Sequence, residues 1–152
     1  MHRYIVYMHY MTIEQNIVAN CLCQKVRAAA RSVTSAYDEA LRPAQLRASQ
    51  LAVLAAVAGE GSLSISALAQ QLSMDRTTLS RNLGPLRRAG LIHVGSEGWR
   101  RSRNLEITKK GRSRLEQAIP FWRKAQEALR DKLGNRTWEN VREGLNSLRD
   151  TQ

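Results

Sequence analysis

The sequence predicts a mainly α chain of the α+β class, in which helical stretches surround one short β-hairpin. Three observations predict it. Apolar residues recur at spacings of three and four along most of the chain. Two such stretches, 65–72 and 74–89, meet with almost no linker. Two short β-rich runs follow directly, around the turn Gly95-Ser96-Glu97-Gly98.

In chain order, residues 14–41 read as one long helix. Val18, Leu22, Val26, Ala29 and Val33 form its stripe, and Ala28-Ala29-Ala30 adds propensity. Pro43 ends it, because the residue before a proline avoids helical angles. Residues 44–58 form a second helical stretch with Leu46, Leu51, Leu54, Ala55 and Val57, closed by Gly59 and Gly61. Ser62-Leu63-Ser64 suits an edge strand. Ile65, Leu68, Ala69 and Leu72 give 65–72 an apolar face, with Ser64 as its N-cap. Ser73 is suited to cap 74–89, Asp75 lies at that helix's positive end, and Gly90 stops it.

Leu91-Ile92-His93-Val94 and Asn104-Leu105-Glu106-Ile107 are the strands of the hairpin. Thr108 caps a helix over 109–133, whose face carries Leu115, Ile119, Trp122, Ala125, Leu129 and Leu133. Gly134-Asn135 breaks it, and 137–149 carries Trp138, Val141, Leu145 and Leu148. Two tightly joined helices followed by a basic hairpin make a winged helix-turn-helix, with an αα-hairpin of an ordinary bundle as the plain alternative.

The chain has 152 residues, enough for one domain with a real core. No run reaches the roughly 20 apolar residues of a membrane span, so a soluble, cytoplasmic protein is expected. Two cysteines exclude a disulfide-stapled scaffold. The first residues do not read as a signal peptide. Met11 serves equally well as a start, so 1–10 is expected to be a disordered or mis-assigned extension ahead of a single domain, 11–152. Net charge is +11. Residues 76–114 hold eleven Lys and Arg against Glu97 and Glu106, so most of the excess lies in a quarter of the chain. A solvated basic face is the bland reading; the concentration favours nucleic acid.

At about 100° per residue, Leu79, Leu83 and Leu86 fall within about 60° of one another. Opposite them lie Thr77, Thr78, Arg81, Pro85 and Arg88, while Arg76 projects nearer the apolar side from the first turn. Hydroxyls and arginine at a helix's N-terminal end suit a major groove, where threonine meets a phosphate or thymine methyl and arginine a guanine edge. Arg76, Thr77, Thr78, Ser80 and Arg81 are therefore the candidate reading residues. Pro85 is expected to bend the helix beyond them. Trp99, Arg100, Arg101 and Arg103 form the candidate wing contact, narrow enough for a minor groove or a phosphate rail. Strand alternation turns Arg103 toward the side of Leu105 and Ile107, which ranks it below Arg100 and Arg101.

Residues 49–112 resemble the multiple-antibiotic-resistance regulator (MarR) family of winged-helix transcription factors. The resemblance rests on Ser49-Gln50, on Ala67-Leu68-Ala69-Gln70-Gln71-Leu72, and on Asp75-Arg76-Thr77-Thr78-Leu79-Ser80-Arg81-Asn82-Leu83. Leu86-Arg87-Arg88-Ala89-Gly90-Leu91-Ile92, Arg100-Arg101 and Ile107-Thr108-Lys109-Lys110-Gly111 complete it in order and spacing. The flanking helices match the family's dimerisation region, placing dimerisation in 14–41 and 112–149 and the winged helix-turn-helix in 44–111. Trp99 stands where the family's wing usually has aspartate before two arginines. The resemblance implies a homodimeric repressor that binds a near-palindromic double-stranded operator and is released by a small, often phenolic, ligand or by an oxidant. A dimer also has a physical basis, since the apolar faces of the terminal helices exceed what one small core covers.

Cys21 and Cys23 lie on the shoulders of the Val18–Leu22–Val26 stripe. In a continuous helix they are about 200° apart and cannot easily pair with each other or grip one metal, which leaves a bond across the dimer open. Packing in a dimer interface is the plain reading, and redox sensing, as in some relatives, the functional one. His2, His9 and His93 are scattered, and His93 has apolar neighbours that suit a structural role. No phosphate-cradling loop, carboxylate pair or zinc spacing occurs, so neither an enzyme nor a cofactor is expected. A non-specific DNA-packaging protein is the competing function; it gives no reason for Thr77, Thr78 and Arg81. A thiol oxidoreductase on Cys21 and Cys23 lacks the strand-to-helix setting of an activated thiol.

Overall fold

The structure is a computed structural model that describes residues 11–95 and 104–149. The chain divides into two compact units, Met1–Ala36 and Tyr37–Gln152. The described part of the first holds α1 (Ile13–Asn20) and the start of α2 (Leu22–Leu41). Thr12 opens α1 with a reciprocal cap: its hydroxyl accepts from the Gln15 amide, and the Gln15 side chain accepts from the Thr12 amide. The continuous helix expected over 14–41 is interrupted. Cys21 ends α1 in an extended conformation, with φ −60° and ψ 117°. Its amide still donates to Ile17, and its carbonyl already accepts from Lys25. The 200° separation expected of Cys21 and Cys23 therefore does not apply, because the break lies at Cys21. Both thiols are free, with Cys21 half-buried and Cys23 exposed. Ile13, Ile17, Val18 and Leu22 are all more than half exposed.

The second unit runs from the end of α2 through a 3-10 turn (Arg42–Ala44) into α3 (Ala48–Glu60). The Asp38 carboxylate accepts from the Ala48 amide at 2.7 Å and so caps α3 from outside it. Then follow β1 (Leu63–Ser64), α4 (Ile65–Gln71), α5 (Arg76–Arg88), β2 (Ile92–Val94), β3 (Asn104–Ile107), α6 (Lys109–Leu133) and α7 (Asn135–Arg149). The sheet is antiparallel in the order β1-β3-β2, pairing Leu63 and Val94 with Leu105 and Ile92 with Ile107. The hairpin strand nearest α6 is thus the central one. His93 is exposed and lies opposite Glu106.

The core gathers Leu41, Leu46, Val53, Leu54, Val57, Leu68, Leu79, Leu86, Leu91, Ile92, Leu105 and Ala118. Each fully buried leucine or valine contributes about 1.5–3 kcal/mol. No polar side chain is buried among the described residues. Two prolines lie within helices that continue past them. Pro85 lies inside α5 without ending it, since the helix continues to Arg88. Pro120 lies inside α6, which still spans 25 residues. Each proline removes one helical N–H. Gly84 directly precedes Pro85, and without a Cβ it escapes the clash that a side chain before a proline makes in helical conformation.

Candidate nucleic-acid interface

Helices α4 and α5 meet through a turn whose residue Ser73 has φ 49°. The Ser73 amide donates to Gln70 and the Met74 amide to Ala69, which closes α4 tightly. Ser73 is therefore the left-handed pivot of the turn and not the expected cap. Asp75 takes that place. One carboxylate oxygen accepts from the Thr78 amide at 2.8 Å, the other from the Thr78 hydroxyl at 2.6 Å. These two bonds hold the Asp75 carboxyl below its ordinary range, the hydroxyl contributing most.

Leu79, Leu83 and Leu86 are buried against the core, which fixes the rotation of α5. Thr77, Ser80 and Arg81 are exposed and make no side-chain hydrogen bond or ion pair among the described residues. Thr77 and Arg81, four apart, form the centre of the outward face. The other two candidates have structural partners. The Thr78 hydroxyl gives its proton to the cap, and Arg76 donates to Ser66 of α4 at 2.9 Å. Arg76 thus ties the two helices of the motif together. Trp99, Arg100, Arg101 and Arg103 lie outside the described residues.

Sequence patterns did not disclose a further link. Asn82 donates to the Thr78 carbonyl and accepts from the Ser49 hydroxyl at 2.7 Å. Ser49 stands at the start of α3, so this pair locks the middle of α5 to the neighbouring helix. Its only local trace is the four-residue spacing of Thr78 and Asn82.

The rear of α5 is held equally well. Gly90, with φ 70°, carries a Schellman closure: its amide donates to Arg87 and the Leu91 amide to Leu86. Lys110 donates to the Ala89 carbonyl at 2.8 Å, and the Thr108 hydroxyl to Gly90 at 2.7 Å. These place two side chains from the entry to α6 on the C-terminal end of α5, where cationic and hydroxyl donors complement its free carbonyls.

Residues 46–95 match the family model of a helix-turn-helix domain. A comparison with curated protein sequences finds no match. Among solved structures, the chain is similar to the Mycobacterium tuberculosis transcriptional regulator MosR, at 37% identity over 88% of this chain and 96% of that one, with a TM-score of 0.76. The chain belongs to the MarR family of transcriptional regulators. A second MosR structure, in complex with DNA, is 38% identical over 85% of this chain and 93% of that one, with a TM-score of 0.77. Bordetella bronchiseptica BpsR, whose structure concerns regulation of DNA binding by 6-hydroxynicotinic acid, shares the fold at 20% identity. It covers 87% of this chain and 96% of its own, with a TM-score of 0.78. Within the MarR-family frame, α4 and α5 are the helix-turn-helix and β2–β3 the stem of the wing. No described helix is long and apolar enough to cross a membrane.

Proposed function

We propose that this chain is a sequence-specific, double-stranded DNA-binding repressor that works as a homodimer on a near-palindromic operator in the cytoplasm. The observation that carries the reading is the exposed Thr77–Arg81 row, without protein partners among the described residues, on a helix whose opposite face is locked by Leu79, Leu83 and Leu86. Arg81 meets a base edge, and Thr77 and Ser80 meet base or phosphate beside it. Arg76 and Thr78 contribute chiefly by setting the angle and cap of α5. Arg100 and Arg101, with Trp99 and Arg103 beside them, reach the minor groove or phosphates from the wing. The non-specific packaging alternative leaves this shaped face without a use, and no enzymatic step is assigned to it.

A second copy covers the apolar residues left exposed on α1 and α2 and on α7, so dimerisation lies in 14–41 and 112–149. Release follows binding of a small, phenol-like ligand, or oxidation at Cys21 and Cys23. The MosR–DNA complex and the BpsR study support the DNA and ligand parts of this reading as properties of those relatives.

Footprinting on DNA flanking the chain's own gene supplies the operator; protection of two half-sites whose centres are about one helical turn, roughly 10 bp, apart is expected. Arg81→Ala then costs about 1–3 kcal/mol on that operator and much less on scrambled DNA. Arg100→Ala weakens both DNAs alike and flattens the salt slope by about one unit. Equal losses on both DNAs for Arg81→Ala would sink the assignment of α5 as the reading helix.

A further inference from the structure

Helices α3 and α5 share one apolar core, with Leu51, Leu54 and Val57 from the first and Leu79, Leu83 and Leu86 from the second. Apolar burial decides which face of α5 turns inward, but it is non-directional and leaves the finer rotation and slide to other contacts. The bond from the Ser49 hydroxyl to Asn82, at 2.7 Å, is the one side-chain hydrogen bond between these two helices among the described residues. Both side chains are half-buried. Asn82 directly follows Arg81, and its amide also donates to the Thr78 carbonyl at 2.9 Å. Thr78 is in turn held by Asp75. The bonded chain Ser49–Asn82–Thr78 therefore runs along the same stretch of backbone that carries the Thr77–Arg81 row. Arg81 has no protein partner among the described residues, so the placement of α5 alone sets where it leaves the surface.

We propose that Ser49 and Asn82 are positioning residues for sequence readout: their bond pins α5 on α3 so that Arg81 meets its base edge in register, while neither side chain touches DNA. The inference rests on the reading of α5 as the groove element and adds to it the part that aims that element. Magnitudes favour such a role. A helix with its side chains is about 10–12 Å across, so a rotation of about 10° moves a group at its rim by about 1 Å. A bidentate arginine–base contact does not survive that shift, because both hydrogen bonds need about 2.7–3.2 Å and angles above about 150°. A phosphate contact acts largely through charge and tolerates it. The pair therefore contributes discrimination, whereas a phosphate contact contributes affinity without discrimination.

The test uses the full-length protein, a duplex spanning the footprinted site and a scrambled duplex of equal length, at a temperature where circular dichroism shows every variant folded. Ser49→Ala removes the hydroxyl without altering any residue of α5. It is expected to weaken binding to the footprinted duplex about three- to tenfold and to leave the scrambled duplex unaffected. Asn82→Ala is expected to show the same selectivity, and the double variant loses no more than Asn82→Ala alone, since the bond is already gone. In an Arg81→Ala background, Ser49→Ala costs nothing further, because the contact that it aims is absent. Equal losses on both duplexes, as a partly unfolded protein or a lost phosphate contact produces, overturn the proposal. Additive losses of Ser49→Ala and Arg81→Ala overturn it too. So does a silent Ser49→Ala beside a weakened Asn82→Ala, which assigns Asn82 a DNA contact of its own. If the wild-type protein fails to distinguish the two duplexes, or Arg81→Ala loses equally on both, the groove reading itself falls, and the role of the pair with it. If Arg81→Ala loses selectively while Ser49→Ala keeps full discrimination, the groove reading stands and the positioning role alone is rejected.

Discussion

Gly111 and Leu91 touch backbone to backbone. A Cβ on Gly111 would stand 2.0 Å from the Leu91 carbonyl oxygen and 2.9 Å from Ile107 Cγ1. The first turn of α6 therefore rests directly on the link between α5 and β2. Two hydrogen bonds reinforce it, from the Thr108 amide to the Leu91 carbonyl and from the Gly111 amide to the Thr108 hydroxyl. Only glycine permits this approach.

Gly111→Ala is accordingly expected to destabilise the chain by about 1–3 kcal/mol or more, as overpacking does. Gly144 in α7 provides the control, because a Cβ there meets nothing within 4 Å. Gly144→Ala should leave Tm unchanged or raise it. Thermal melts followed by circular dichroism compare the two, and equal shifts would contradict the packing argument.

Asp75 couples the front of α5 to pH. Its carboxyl is held below the ordinary range by the Thr78 hydroxyl and amide, so the folded state favours the ionised form. The stabilisation is complete above the unfolded value of about 3.9 and is lost as pH falls through the folded value. Asparagine retains a capping oxygen but no charge. The Tm advantage of wild type over Asp75→Asn should hold steady from neutral pH to about pH 5 and disappear on further acidification. An advantage independent of pH would refute this account.

Tyr37 at the end of α2 donates from its hydroxyl to the Gln126 side chain on α6. Partial burial raises the Tyr37 pKa, which keeps the hydroxyl protonated and donating at neutral pH. Tyr37→Phe should cost about 0.5–1.5 kcal/mol in urea unfolding, with the m-value unchanged. No loss of stability would mean that water replaces the bond.

Val141, Leu145 and Leu148 are 44%, 51% and 44% exposed along α7. Leu145→Asp should shift the protein toward monomer at micromolar concentration and abolish the concentration dependence of Tm. Light scattering reports the first effect and melts over a dilution series the second. A wild-type monomer of about 17 kDa under these conditions would end the dimer reading.

The parts of this fold that were legible in the sequence are those bounded by local chemistry. Thr108 and Gly134 bracket α6, and alternation marks Asn104–Ile107, so both elements match their expected limits. The break at Cys21 was not legible because the apolar stripe from Val18 to Val26 continues across it, with no glycine or proline to signal a stop. Ser73 and Asp75 are both competent caps, and only the turn geometry separates them. The outward face of α5 follows from the helical period alone. The Arg76–Ser66 and Asn82–Ser49 bonds join different helices, which no local pattern records.

Thr108 alone separates the central strand from the 25-residue α6, and it is bonded on both sides. That junction has no slack. Amide exchange at Leu91 and Thr108 should therefore slow or quicken together, and independent rates would show a hinge. On the proposed reading, a junction without a hinge would pass a displacement of α6 on to α5. In a two-fold assembly, displacing the paired α6 helices would change the gap between the two reading heads, and the fixed step of about 3.4 Å along each DNA strand would convert that gap into fit or misfit.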